Sequence, residues 1–124
     1  MTGDEVRLVL PADPEYGRIA RITAAGLALR AGMGFRGIED LRIAVDESVI
    51  LLLRPEGESG SITFVFRVAD EGIEINATTT AGEGQYWMDT ATVDRFSELV
   101  QDTVDEHDVS DDGRHVRLLK RFAA

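Results

Sequence analysis

The sequence has no cysteine and only two histidines, and these scarcities exclude several classes of protein. Without cysteine there are no disulfides, thiol nucleophiles or thiolate metal sites. The two histidines, His107 and His115, are too few for a metal centre built from imidazole ligands. The longest apolar run, residues 49–53, has five residues, whereas a membrane span needs about 20. No charged segment followed by an apolar one opens the chain, so we expect no signal peptide, no membrane attachment and a cytoplasmic protein.

Basic residues are also scarce relative to acidic ones. The 13 lysines and arginines face 23 aspartates and glutamates, which gives a net charge of −10. Because this charge opposes that of a phosphate backbone, we expect no direct binding to nucleic acid. A basic protein partner suits it better. The 124 residues, 44% of them hydrophobic, are enough for one core, so residues 1–124 are expected to form a single domain.

Apolar periodicity predicts a strand and two helices in the first half of the chain. Alternation over residues 6–10 predicts a short strand. Asp13 and Pro14 are typical of a helix start, with a carboxylate cap followed by proline at the first helical position. The helix is predicted to run to about residue 31. A second helix is predicted from about Gly37 to residue 54, because Pro55 follows and the residue before a proline avoids helical geometry.

The second half of the chain predicts a β-hairpin. Apolar residues alternate over 62–66 and again over 73–77, with turn residues between the two runs. The other predicted elements are a loop over 78–84, a helix from about Thr90, an acidic loop over 102–112 and a last strand over 116–119. This order predicts an α+β two-layer sandwich, with helices on one face of a mostly antiparallel sheet.

Three polar features allow a functional and a plain interpretation. Asp46 and Glu47 form an adjacent carboxylate pair, but neighbours on a helix point about 100° apart, so a solvated face is favoured over a catalytic pair. Gly82 and Gly84 are compatible with a phosphate-binding loop, but no lysine or serine follows them, which favours a plain loop. The acidic run 102–112 lacks the ligand spacing of a calcium loop.

Residues 38–48, Ile-Glu-Asp-Leu-Arg-Ile-Ala-Val-Asp-Glu-Ser, resemble the conserved helix of the RsbW-type anti-sigma factor and serine-protein kinase family. That family belongs to the GHKL ATPase superfamily. Residues 10–13 and 19–25 resemble its first strand and helix, and residues 96–106 and 113–120 its last helix and strand. The likeness is greatest to the divergent actinobacterial anti-sigma factors. It implies a GHKL (Bergerat) ATPase-like fold for residues 1–124.

The resemblance also shows departures at the nucleotide cleft. Active members carry a glutamate and, four residues later, an asparagine that holds Mg²⁺ against the phosphates of ATP. Here the glutamate matches Glu47, but the asparagine position is Leu51, and leucine offers no oxygen ligand. The aspartate that reads adenine aligns with Thr80, or with Thr79 one residue earlier. The implied degenerate cleft positions are Glu47, Leu51, Thr80, Gly82 and Gly84.

From this resemblance we expect weak or lost binding of ATP and Mg²⁺, and a function in binding instead of catalysis. The implied function is an anti-sigma factor that sequesters a sigma factor and is released by an anti-anti-sigma (STAS-type) protein. A homodimer is implied as well. The family's partner-contacting arginine maps to Arg21, with Glu15, Arg18 and Ala25 on adjacent turns. The alternatives are an active serine/threonine kinase and a GHKL-like interaction module unrelated to sigma factors.

Overall fold

Three helices lie on one face of a five-stranded antiparallel sheet. The computed structural model describes residues 3–53, 59–81 and 89–122. The elements are β1 (Asp4–Pro11), α1 (Gly17–Arg30), α2 (Phe35–Leu52), β2 (Ser61–Ala69), β3 (Gly72–Thr79), α3 (Thr90–Val100), β4 (Glu106–Val109) and β5 (His115–Arg121). The strand order is β1-β2-β3-β5-β4. The predicted α+β two-layer class is confirmed.

The predicted cap of the first helix is present, although α1 begins three residues later than expected. Asp13 Oδ1 accepts a hydrogen bond from the backbone N–H of Glu15 at 3.0 Å. Pro14 then opens a 3₁₀ turn that ends at Tyr16, and α1 starts at Gly17. The fully buried side chains of α1 are all small: Ala20, Ala24 and Ala28. Small residues on this face let α1 approach α2 closely.

The second helix begins at Phe35, two residues before the expected start at Gly37. Gly37 lies inside the helix, where a Cβ would come within 2.9 Å of Met33 Cγ. A larger residue here would make the flexible Met33 side chain shift, and this glycine does not mark a helix boundary. α2 ends at Leu52. The expected stop at Arg54-Pro55 lies outside the described residues.

The hairpin of β2 and β3 is confirmed, with Phe64 opposite Ala77 and Phe66 opposite Ile75. β3 continues to Thr79, so the loop predicted from residue 78 begins later than expected. The apolar face of the sheet packs against the helices through Ile62, Phe64, Phe66, Ile73, Ile75, Ala77, Val116 and Leu118, all of them buried.

The prediction of an acidic loop over residues 102–112 is wrong in its centre, because Glu106–Val109 form edge strand β4. Two arginines of β5 neutralise the first residue of this strand. Arg117 Nη1 donates to Glu106 Oε1 at 3.1 Å, and Arg121 Nη2 donates to Glu106 Oε2 at 2.7 Å. The last strand is also longer than predicted, since β5 runs from His115 to Arg121.

These ion pairs predict a pH-dependent contribution of Glu106 to stability. The hydrogen bond from Arg117, and then that from Arg121, hold the pKa of Glu106 below its ordinary value of 4.5. A lowered pKa stabilises the folded state above that ordinary value, and the contribution is lost as pH falls through the lowered pKa. Glu106→Gln should therefore lower the free energy of unfolding at neutral pH, and the difference from wild type should shrink in acid.

Urea denaturation across a pH series measures this difference. Glu98→Gln is the control, because Glu98 is an exposed glutamate on α3 and the change removes the same charge. A difference for Glu106→Gln that stays constant from neutral pH into acid would contradict the prediction.

Candidate functional site

The adjacent carboxylates of α2 point to two different helices. Glu47 Oε1 accepts a hydrogen bond from Arg95 Nη1 of α3 at 3.2 Å. Asp46 Oδ1 lies 3.6 Å from Arg21 Nε of α1. The prediction that the two side chains do not share a face is confirmed. Neither is simply solvated, since the Asp46 side chain is 43% exposed and that of Glu47 only 17%.

Leu51 belongs to the hydrophobic core. It lies one turn after Glu47 on α2 and is 2% exposed. Its side chain offers no donor or acceptor. At the position where the sequence resemblance implies an oxygen ligand for Mg²⁺, the structure therefore has buried hydrocarbon, and these residues do not fit that metal.

Both candidate threonines for the adenine-reading position hold the backbone where β2 starts and β3 ends. Thr80 Oγ1 accepts a hydrogen bond from the N–H of Ser61 at 2.9 Å. The hydroxyl of Thr79, which is buried, accepts one from the N–H of Ala81 at 3.0 Å. Sequence patterns gave no signal for the Thr80 contact, because Ser61 and Thr80 are 19 residues apart and meet only where β2 and β3 come together. Gly82 and Gly84, the last two predicted cleft positions, lie outside the described residues.

Within the described ranges, no three His, Asp or Glu side chains are grouped so that they could hold a metal ion. No helix in the same ranges is long and apolar enough to cross a membrane.

Three of the four predicted partner-binding residues lie on α1, and they line two neighbouring grooves. Arg18 and Arg21 line a groove of about 400 Å³ between α1 and α2, which also contains Pro14, Gly17, Asp46, Val49, Ile50 and Leu53. Ala25 lies further along α1, in a groove of about 320 Å³ shared with Ile22, Gly26, Leu29, Ile38 and Arg42. Glu15 is exposed in the turn before α1.

Arg21 is in an ion pair, and its Nε donor has no hydrogen-bond partner among the described residues. Its side chain is 35% exposed, and Asp46 is its ion-pair partner. The Arg21 Nε atom is buried and makes no hydrogen bond within the described structure, because a separation of 3.6 Å to Asp46 Oδ1 is too long for one. The sequence did not predict this ion pair, because the apolar pattern of a helix does not indicate which other helix it packs against.

The outer surface of α1 and α2 also exposes large apolar side chains. They are Ile19, Ile22, Leu29, Phe35, Ile43 and Ile50, with exposures between 42% and 80%. Single exposed apolar residues are ordinary, but several on two adjacent helices are typical of an interaction surface.

The helices on one face of a five-stranded antiparallel sheet form an α+β fold consistent with a GHKL-like ATPase domain. The serine-protein kinase RsbW of Bacillus pumilus (strain SAFR-032) is 30% identical over 87% of this chain and 79% of its own length. The proteins of the same name from Oceanobacillus iheyensis and Listeria innocua are 37% and 35% identical, over 58% and 60% of this chain. The chain spans about half the length of these two, 48% and 50%. No family model matches the chain. The chain belongs to the RsbW serine-protein kinase family.

The burial of Leu51 predicts that restoring the family's asparagine destabilises this protein. Leu51→Asn removes buried hydrocarbon and buries an amide, which together should lower the free energy of unfolding by about 3 kcal/mol. Ile50→Asn is the matched control: the neighbouring Ile50 is 49% exposed, so its loss should stay within about 1 kcal/mol. Chemical denaturation measures both values. Equal losses for the two variants would show that Leu51 is not a core residue.

Proposed function

We propose that this chain is a cytoplasmic anti-sigma factor-like regulator with a degenerate ATP site. It sequesters a sigma factor by direct binding, and an anti-anti-sigma protein of the STAS type releases that factor by competing for the same surface. It acts as a homodimer. The observation that carries this proposal is the burial of Leu51 in the core of an RsbW-family chain, which supports binding over phosphoryl transfer.

Three side chains at the family's nucleotide-binding positions support the loss of ATP binding and phosphoryl transfer. Phosphoryl transfer depends on a metal ion and on positioning of the phosphates. Leu51 supplies no metal ligand, Glu47 is engaged by Arg95, and Thr80 is engaged by Ser61. Glu47 is in this view a relic of the catalytic site, retained as the partner of Arg95.

A degenerate cleft predicts that Mg²⁺-ATP and ADP bind no more tightly than roughly millimolar, because both the metal ligand and the adenine-reading carboxylate are replaced. Isothermal titration of the purified chain with each nucleotide measures the affinity. A micromolar isotherm would contradict the degenerate site.

The kinase alternative makes a different prediction for the same protein. If the chain phosphorylates an anti-anti-sigma protein, labelled phosphate from ATP should enter that partner, and Glu47→Gln should abolish the signal. In our proposal the wild type gives no signal.

The groove that contains Arg18 and Arg21 supports a protein partner. A guanidinium offers several donors in a fixed geometry that suits a carboxylate, and interfacial arginines are frequent hot spots. The internal carboxylate of Asp46, 3.6 Å away, shows the kind of group that this arginine attracts. Exposed Ile50 beside it adds an apolar contact. The overall charge of −10 additionally favours the basic surfaces of a sigma factor.

The surface centred on Arg21 predicts a large loss of affinity when this side chain is removed. Removing one partner of a buried charged pair typically costs about 2 to 5 kcal/mol. Arg21→Ala should therefore weaken the complex with the sigma factor at least about 30-fold without unfolding the chain. Titration of the sigma factors of the source genome against wild type and variant measures the effect.

Arg30→Ala is the control, because Arg30 is the exposed last residue of α1 and lies outside the Arg21 groove. If no sigma factor binds the wild type, the anti-sigma proposal fails and an interaction module with another partner is favoured. If a sigma factor binds both proteins equally, the surface centred on Arg21 is wrong.

A further inference from the structure

The second half of the chain contains an acidic segment that the proposed function does not use. Residues 102–112 include six aspartates and glutamates and no lysine or arginine. Their centre is β4, which lies at the edge of the described sheet and pairs with β5 on one side. Within the described residues no three carboxylates are grouped so that they could hold a metal ion. The negative charge is therefore spread along a strand and its flanking turns.

The hydrogen bonds of β4 show which of its backbone groups are open. Ser110 N–H donates to the carbonyl of His115 at 2.9 Å, in the register that places Val109 opposite Val116. Hydrogen-bonded and non-hydrogen-bonded positions alternate along an antiparallel pair. The even-numbered residues of β4 therefore bond to β5, and His107 and Val109 direct their N–H and C=O groups away from the sheet.

The side chains of β4 alternate between the two faces of the sheet. His107 faces the helical layer, where its ring lies edge-on to Phe96 with centroids 6.3 Å apart, and Val109 packs against the core on the same side. Glu106 and Asp108 face the other side. Two arginines of β5 hold Glu106, whereas Asp108 is exposed and has no ion-pair partner among the described residues. An unneutralised carboxylate thus lies at the middle of the open edge.

We propose that the open edge of β4 binds an extended basic segment of a protein partner, which adds to the five-stranded sheet as a further antiparallel strand. The backbone groups of His107 and Val109 supply the hydrogen bonds, and Asp108 meets a lysine or arginine of the bound segment. In strand addition of this kind, main-chain hydrogen bonds give the affinity and alternate side chains give the specificity. This contact goes beyond the proposed function and lies on a different layer of the fold from the Arg21 groove.

Charge determines what this edge accepts. A second copy of β4 would bring acidic side chains against Glu106 and Asp108, and like charges opposite each other are destabilising. Position 108 forms a non-hydrogen-bonded pair with the added strand, and side chains are closest in such a pair. A cation opposite Asp108 is therefore favoured. The exposed Asp105 and Asp111, before and after the strand, extend the negative charge along it.

Alternation also predicts the sequence pattern of the bound segment. Its cationic side chains lie on the face of Asp108, and the residues between them lie on the helix-covered side, beside His107 and Val109. A slip of one residue would exchange the two faces and place cations on the apolar side. A segment of alternating basic and β-branched residues fits this edge, because β-branched side chains favour strands.

A heptapeptide of alternating lysine and valine, with lysine at both ends, is the probe. Fluorescence anisotropy of the labelled peptide at low ionic strength measures its binding to the purified chain, and we expect a dissociation constant of roughly 100 μM. Methylating the valine amides of the peptide should abolish binding, because those N–H groups face β4. Methylating the lysine amides should change the affinity less than about 3-fold, because those N–H groups face away.

Variants of the protein test the same contact from the other side. Val109→Pro removes an N–H at the open edge and leaves the hydrogen bonds between β4 and β5 intact, so it should weaken binding at least about 10-fold. Circular dichroism should verify that this variant folds. Asp108→Lys should weaken binding of the lysine peptide about 5-fold and strengthen binding of a peptide with glutamate in place of lysine.

Asp70→Lys is the charge-matched control, because Asp70 is exposed in the turn between β2 and β3, and β5 separates β3 from β4. This variant should bind the lysine peptide as wild type does. Arg21→Ala should also bind it as wild type does, so that failure of this site and failure of the proposed sigma-binding surface are distinguished.

Three results would overturn the proposal: no binding of the lysine peptide, equal binding of the lysine and glutamate peptides to wild type, or binding that persists when the valine amides are methylated. Self-association of the wild-type chain that Val109→Pro abolishes would assign this edge to a second copy instead, and sedimentation of both proteins without peptide measures it.

Discussion

The helical layer depends on the burial of α2 on several sides at once. α2 contacts α1, α3 and two strands of the sheet, β3 and β5. Its buried residues accordingly extend over a wide arc of the helix, and the polar one among them, Ser48, is satisfied by donating its hydroxyl to the carbonyl of Ala44 at 2.8 Å. An unpaired polar group in such a position costs about 1 to 3 kcal/mol. The charged residues of α2 therefore lie at the rims of this buried arc or on the exposed face of the helix.

At these rims, two consecutive residues connect α2 to the helices on either side. Asp46 lies next to Arg21 of α1, and Glu47 bonds to Arg95 of α3. Partly exposed ion pairs contribute up to about 1 kcal/mol each, so they orient side chains more than they hold the helices together. Oriented in this way, Arg21 lines the groove between α1 and α2. Glu47 is hydrogen-bonded to an arginine of α3, which gives this carboxylate a structural role.

Alternation and helical periodicity were sufficient to predict the helices and the hairpin, because burial on one side of an element imposes that period. β4 was missed because its acidic residues predicted a solvated loop. The charge of Glu106 is neutralised by Arg117, which lies on the next strand. The interior glycine of α2 was read as a boundary because glycine commonly ends or starts helices, yet the helix begins two residues earlier at Phe35. Arg18, Arg21 and Ala25 lie on the predicted first helix, whereas Glu15 lies in the turn before it. The pairing of Arg21 with Asp46 depends on how two helices pack, which neither helix's sequence pattern encodes.

The surface that we propose for sigma binding is built from side chains of the helical layer. The Arg21 groove lies between α1 and α2. β1 leads directly into α1 through the turn capped by Asp13. The first 30 residues therefore carry most of the proposed contact, while α2 and the sheet maintain the core.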